Sequence, residues 1–364
     1  MYNNRSAYQP GVAIILLLAL NLAACAAVTA PGTATPSATT PRPSVTPSQV
    51  PSTPTPTLEP ATPTAQAIDY APLVDALEEY LAGRVYDNGF DLGVGFVDIE
   101  TGQEINIQGD TRYHAMSSFK GPLAVRYYEM LEAGEIERLD TDLKHLTSML
   151  RVSYNQSTTC ILERTGGLPA FNDWLAQQGF TRELSFVFTW QEWACPPGEG
   201  APADQRPPDI DWRYYRGDEA LSLPGGGALL RCPIPQLPCD KAFAPIELAR
   251  FYARLYRGEY VHDPAHREEL FGLLERVKDE TPFLIALPDD ANIHVYSKGG
   301  TFQATEVYRV NFFVEAGIIE TDAGAFALAM FMQRQPDWPG TWPMAKATQM
   351  IYDYFMGVHG PPDA

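Results

Sequence analysis

An α+β fold is predicted for residues 68–364, on three observations. Strand-like runs stand at both ends of that stretch, helical periodicity fills its middle, and a long Pro/Gly-rich interval interrupts the helices. Strands split between the two ends must meet in one antiparallel sheet, and the helices between them must form a second lobe. The fold expected is an antiparallel sheet flanked by helices plus an all-helical lobe, with a site in the groove between the lobes.

Each element follows from its residues. Arg5 precedes an apolar run, Val12 to Leu22, that ends in Leu22-Ala23-Ala24-Cys25. A basic start, a short apolar core and small residues at a cleavage point read as a signal peptide over residues 1–24, not as a spanning helix. Leu-Ala-Ala-Cys resembles the bacterial lipobox, in which the cysteine, here Cys25, becomes the lipidated first residue; a plain secretory signal with a chance cysteine is the alternative. Residues 25–67 are rich in Thr, Pro, Ser and Ala and lack the apolar side chains to offset chain entropy, so they read as an extended, disordered tether.

Beyond the tether, Leu73–Leu81 has amphipathic helical spacing. Leu92–Glu100, Thr101-Gly102 and Glu104–Gly109 read as a hairpin. A helix is expected from Ser117 to about Ala133, with Leu123, Ala124, Tyr127, Tyr128 and Leu131 on its apolar positions. Further helices fall near Leu143–Leu150, Gln156–Arg164 and Ala170–Gln177. A loop insert covers about residues 190–240. Pro245–Tyr256 and His266–Arg276 return to helix. Strands follow at Ile293–Lys298, Val307–Glu315 and Ala325–Gln333, and Trp342–Phe355 closes as a helix.

A formal net charge of −19 argues against nucleic acid and against electrostatic docking on anionic lipid. Four cysteines follow Cys25, and export would allow three full pairings of them. Cys232 and Cys239 invite a local staple, while Cys160 sits in an apolar helical pattern and reads as a buried thiol. No metal or organic cofactor is expected.

Three short strings carry chemistry: Ser117-Ser118-Phe119-Lys120, Ser153-Tyr154-Asn155 and Lys298-Gly299-Gly300. A helix starting at Ser117 would put Lys120 one turn on, on the same face. A desolvated amine there can activate the hydroxyl as a nucleophile without a histidine. Ser153 and Asn155 would supply a proton relay and a substrate donor. Lys298 would add positive charge, with Gly300 letting the backbone close on a substrate. Alone, each string also reads blandly, as a solvated helix start, a cap and a turn.

In this order the strings resemble the S-x-x-K, S-D-N and K-T-G set of the penicillin-recognising serine hydrolases, most closely class A β-lactamases and their D,D-peptidase relatives. The resemblance implies a β-lactamase-like fold and an acyl-enzyme on Ser117. Backbone N–H groups of Ser117 and Thr301 would form the oxyanion hole. Lys298 would attract a substrate carboxylate, helped by Arg309, whose alternative is a solvated strand residue. Glu192 is the candidate base for deacylation by order along the chain; a surface carboxylate is the competing reading. Tyr154 stands where the family has aspartate and Gly299 where it has threonine or serine, which removes a substrate hydrogen bond. The Ser117–Ser153 interval is shorter than in typical class A enzymes, and Ser153–Lys298 is longer.

Three functions therefore stay open. The first is a monomeric, lipid-anchored, extracytoplasmic β-lactamase-like hydrolase; the second is a D,D-peptidase or transpeptidase on peptidoglycan stem peptides; the third is a non-catalytic wall-binding lipoprotein.

Overall fold

The structure is a computed structural model that describes residues 68–86, 90–181, 195–196, 198–200, 242–277, 281–289, 292–302, 311–334 and 341–360. All of them fall within one unit, Thr62–Ala364. Cys25, the tether, Glu192, Cys232, Cys239, Arg309 and nearly all of the 190–240 insert lie outside the described residues.

Phe90–Asp98 (β1) and Glu104–Ile107 (β2) form the expected antiparallel hairpin. Asp98 builds its turn, its carboxylate accepting Glu100 N at 3.0 Å and the Thr101 hydroxyl at 2.6 Å. Tyr113–His114 (β3) and Ala242–Phe243 (β4) pair as a small separate ribbon. His294–Phe302 (β5), Asn311–Thr321 (β6) and Gly324–Arg334 (β7) complete the main sheet, in the order β2-β1-β7-β6-β5 with every pair antiparallel. The two ends of the chain meet where β1 pairs β7, from Phe90↔Arg334 to Asp98↔Phe326.

The helices are Ala71–Tyr80 (α1), Lys120–Glu132 (α2), Asp142–Arg151 (α3), Asn155–Arg164 (α4), Gly167–Gln177 (α5), Pro245–Tyr256 (α6), Pro264–Leu274 (α7), Pro282–Ile285 (α8) and Trp342–His359 (α9). Alternation along β7 assigns its two faces. Phe326, Leu328, Met330 and Met332 pack in one core with α1 and α9, whereas Ala325, Ala327, Ala329 and Phe331 share the second core with α2–α7. Three alanines on that face leave room for α6 to lie close to the sheet.

Four differences from the expected elements have local causes. The first helix continues past Tyr80 as a π-helical turn, Leu81–Val85. The helix expected to reach Arg276 ends at Leu274, because Arg276 N bonds Val295 O at 2.8 Å and joins the sheet side instead. β6 runs on to Thr321, since both sheet faces are covered and an unbroken apolar run suits a strand there. α8 is too short to show a period; Thr281 starts it by accepting Phe283 N at 3.3 Å.

Candidate active site

Ser117 sits in the turn between β3 and α2. The expected helix start is corrected here: the helix begins at Lys120, and Met116–Phe119 are turn residues. Met116 has a left-handed φ of 49°, and the bonds that follow it span three residues rather than the four of an α-helix, Ser118 N to Ala115 O at 3.0 Å and Lys120 N to Ser117 O at 3.2 Å. The Ser118 hydroxyl also donates to Ala115 O at 2.7 Å. Upstream, buried Arg112 pairs with Glu247 of α6 at 2.6 Å and fixes the lead-in strand.

Lys120 is fully buried beside this turn. Its Nζ lies 2.7 Å from Ser153 O, 3.1 Å from Ser153 Oγ and 2.8 Å from Asn155 Oδ1. The α3–α4 junction supplies all three oxygens. Ser153 takes φ 58° there, which brings its carbonyl and its hydroxyl to the same amine. A left-handed serine stores on the order of 1 kcal/mol, and such strain collects at functional sites. With its oxygen held by Lys120, the Asn155 amide keeps its NH2 as the donor side.

β5 is the edge strand of the sheet, and it closes on the serine from the other lobe. A Cβ built on Gly300 would lie 2.4 Å from Ser117 N and 2.7 Å from Met116 Cβ, so only glycine allows this approach. Ser117, Ser153, Asn155, Lys298, Gly300 and exposed Thr301 line one cavity of about 670 Å3, a size that suits a small molecule or short peptide. The structure thus gathers the sequence-predicted residues Ser117, Lys120, Ser153, Asn155, Lys298, Gly300 and Thr301. Lys298 is almost wholly buried and its Nζ donates to Gly299 O, a partner the sequence did not suggest.

Sequence reasoning missed a buried carboxylate in the cavity wall, Glu315 of β6, together with Arg276 and Thr281. Glu315 accepts a hydrogen bond from the Ser297 hydroxyl and faces Gly299 across the ladder. Burial pushes its carboxyl above the usual range, opposed by the Ser297 hydroxyl and the charges of Arg276 and Lys298. Burial pushes Lys298 well below the usual lysine range; Arg276 adds to the fall and Glu315 opposes it. The one sequence signal for this wall was the glycine at 299, where the resemblance leads one to expect a hydroxyl.

Cys160 is not the free thiol expected: it is disulfide-bonded to Cys195, which ties α4 to the segment containing Glu199. Glu199 lies 3.2 Å from Nε2 of His145. Burial holds His145 below the usual histidine range. His145 and the two sulfurs are close enough to suggest a metal centre, but sulfurs bonded to each other offer no thiolate.

The match of the chain to the β-lactamase enzyme family covers residues 73–145 and 140–355, and the chain belongs to that family. Among solved structures it is similar to a mutant of PBP-A in its acyl-enzyme complex with penicillin G, at 17% identity and a TM-score of 0.55, covering 78% of this chain and 96% of that one. It is also similar to the TLA-1 extended-spectrum β-lactamase, at 16% identity and TM-score 0.57, over 78% and 98% of the two chains. A β-lactamase from Sphaerobacter thermophilus matches at 20% identity and TM-score 0.54, over 81% and 100%. At these identities the likeness is one of fold. No curated protein sequence matches the chain.

Proposed function

We propose that the chain is a serine hydrolase that cleaves a β-lactam-type amide through an acyl-enzyme on Ser117. The observation that carries this reading is the Lys120 amine, buried beside the Ser117 turn and held by Ser153 and Asn155. The Ser117 oxygen adds to the carbonyl carbon while Lys120 takes its proton. The C–N bond then breaks, and Ser153 passes a proton from Lys120 to the leaving nitrogen. Backbone N–H groups of Ser117 and Thr301 are the donors for the oxyanion, and they act on charge that develops in the transition state. Water afterwards cleaves the Oγ–C bond and restores Ser117.

Intact-protein mass spectrometry of the full chain after adding a penicillin tests this. A one-equivalent adduct is expected, and Ser117→Ala should abolish it; an adduct that survives that substitution removes Ser117 as the nucleophile. Fast decay to hydrolysed drug fits a β-lactamase, whereas persistence of the adduct fits a D,D-peptidase.

Cys25 is the proposed lipid anchor, at an extracytoplasmic membrane face. Leu22-Ala23-Ala24-Cys25 supports this, and so does the Cys160–Cys195 bond, which suits an oxidising compartment. Among the described residues no helix is long and apolar enough to cross a membrane. Cys25→Ser should move the protein from the membrane fraction to the soluble fraction; unchanged partition would count against the anchor.

A further inference from the structure

We propose that Glu315 sets the substrate class of this site: the group of the acyl donor that seats beside Gly299 is an uncharged or cationic hydrogen-bond donor, such as a carboxamide, hydroxyl or ammonium, and not a carboxylate. The inference rests on the acyl-enzyme reading above and narrows it.

The geometry starts from register. Gly299 of β5 is paired directly with Glu315 of β6, so their side-chain positions share one face of the ladder. A Cβ on residue 299 would lie 2.1 Å from Glu315 Oε2 and 3.1 Å from its carboxyl carbon. The carboxylate thus occupies the space where any side chain at 299 would project. It is held there: the Ser297 hydroxyl, on the same face, donates to Oε1, and the Thr281 hydroxyl also bonds the carboxylate. Glu315 is 5% exposed and lines the cavity with Gly299 and Thr281.

Two cations stand near it and partly balance its charge, and each is also held by backbone oxygens. Arg276 donates from Nε to Ser297 O at 3.0 Å, and from Nη2 to Ser297 O at 2.6 Å and to Leu150 O at 3.0 Å. Lys298 Nζ donates to Gly299 O. At the side-chain position of Gly299, the nearest side-chain atom is nonetheless a carboxylate oxygen. An anionic group placed there would meet a like charge in a poorly solvated wall. An N–H or O–H donor would instead make a charge-assisted hydrogen bond to Oε2. A glutamate that served only to balance Arg276 and Lys298 would not discriminate between donors in this way.

The experiment compares benzylpenicillin with its carboxamide, in which the ring carboxylate is replaced by CONH2, on the full chain held in detergent. Rates of adduct formation at Ser117 are read by mass spectrometry, and each is divided by that compound's own rate with hydroxide. The wild type should prefer the carboxamide by about tenfold or more. Glu315→Gln, checked for folding by thermal melting, should shrink that preference by about tenfold. Should the variant unfold, the wild-type ratio decides alone. A wild type that prefers the carboxylate overturns the proposal, as does a folded Glu315→Gln with an unchanged ratio, which would leave Glu315 a purely structural charge. If neither compound nor a carboxylate-free activated ester labels Ser117, the acyl-enzyme reading fails and this inference with it.

Discussion

Gly300 and Ser153 act at the scale of single atoms, Gly300 against the Ser117 backbone and Ser153 against the Lys120 amine. The methyl of Gly300→Ala would have to displace the Ser117 backbone nitrogen, because the space is 2.4 Å deep. The strand must then draw back from Ser117 and take Thr301, a proposed oxyanion donor, with it, and losing one such donor costs about 100- to 1000-fold in rate. Acylation rates and melting curves of Gly300→Ala check this; unchanged acylation would mean that the contact does not matter to the chemistry. Ser153→Gly tests the second contact. Glycine takes φ 58° without strain, but that gain, on the order of 1 kcal/mol, is offset by unfolded-state entropy and by loss of the hydroxyl that touches buried Lys120, so the variant should not melt higher. Folded protein with at least tenfold slower transfer is the expected result, and a variant that transfers at the wild-type rate would remove Ser153 from the proton path. At this scale the sequence was legible in which residues come together: Ser117, Ser153, Asn155 and Lys298 line one cavity, and Lys120 bonds Ser153 and Asn155 beside it. Glu315 was not legible. Its importance comes from crossing over Gly299 on the next strand, and strand register is set by tertiary pairing rather than by anything local to Glu315.

Elements bring those residues together, and the β3–α2 lead-in depends on one buried ion pair. Arg112 and Glu247 meet at 2.6 Å with both side chains at least nine-tenths buried, and Glu247 also accepts from Ala244 N at 3.2 Å and from Thr181 N at 3.0 Å. Removing one partner leaves an uncompensated buried charge, at a cost of about 3–5 kcal/mol. Arg112→Met should therefore lower the unfolding free energy by that order, and replacing both partners with apolar residues should recover part of the loss. A single substitution within about 0.5 kcal/mol of wild type would show the pair to be dispensable. The same pair shows why elements read more easily than their ends. Pro245–Tyr256 was legible whole, because Pro245 starts it and the apolar period is strong. The start of α2 was misplaced by three residues, since the turn at Met116 rests on a left-handed methionine that no sequence signal marks. The Cys160–Cys195 bond was unreadable for a related reason: the number of cysteines restricts pairings without choosing among them.

The whole molecule packs two cores against one sheet, and buried tyrosines tie that packing to pH. Tyr127, Tyr128, Tyr252 and Tyr260 all lie in the core shared by the helical lobe and the sheet, each almost fully out of solvent. Burial pushes every one of these phenols above the usual range, and Asp142 and Glu269 add to the rise at Tyr127 and Tyr128 by accepting their hydroxyl protons at 2.7 Å and 2.5 Å. The direction of the effect follows from proton counts. Below about pH 10 both folded and unfolded chains keep these protons, and the stabilisation is present in full. Above it the unfolded chain loses them first, so stability falls as pH rises, by at most about 1.4 kcal/mol per pH unit for each tyrosine. Melting temperature should hold up to about pH 9 and drop steeply above about 10. Phenolate absorbance should rise in step with the loss of tertiary circular dichroism. Tyr252 sharpens the test, because its buried hydroxyl has no hydrogen-bond partner among the described residues. Tyr252→Phe should cost nothing near neutrality and should soften the alkaline fall. Phenolate that appears smoothly while the fold stays intact would mean the core admits water, and the two-core packing would then need revision.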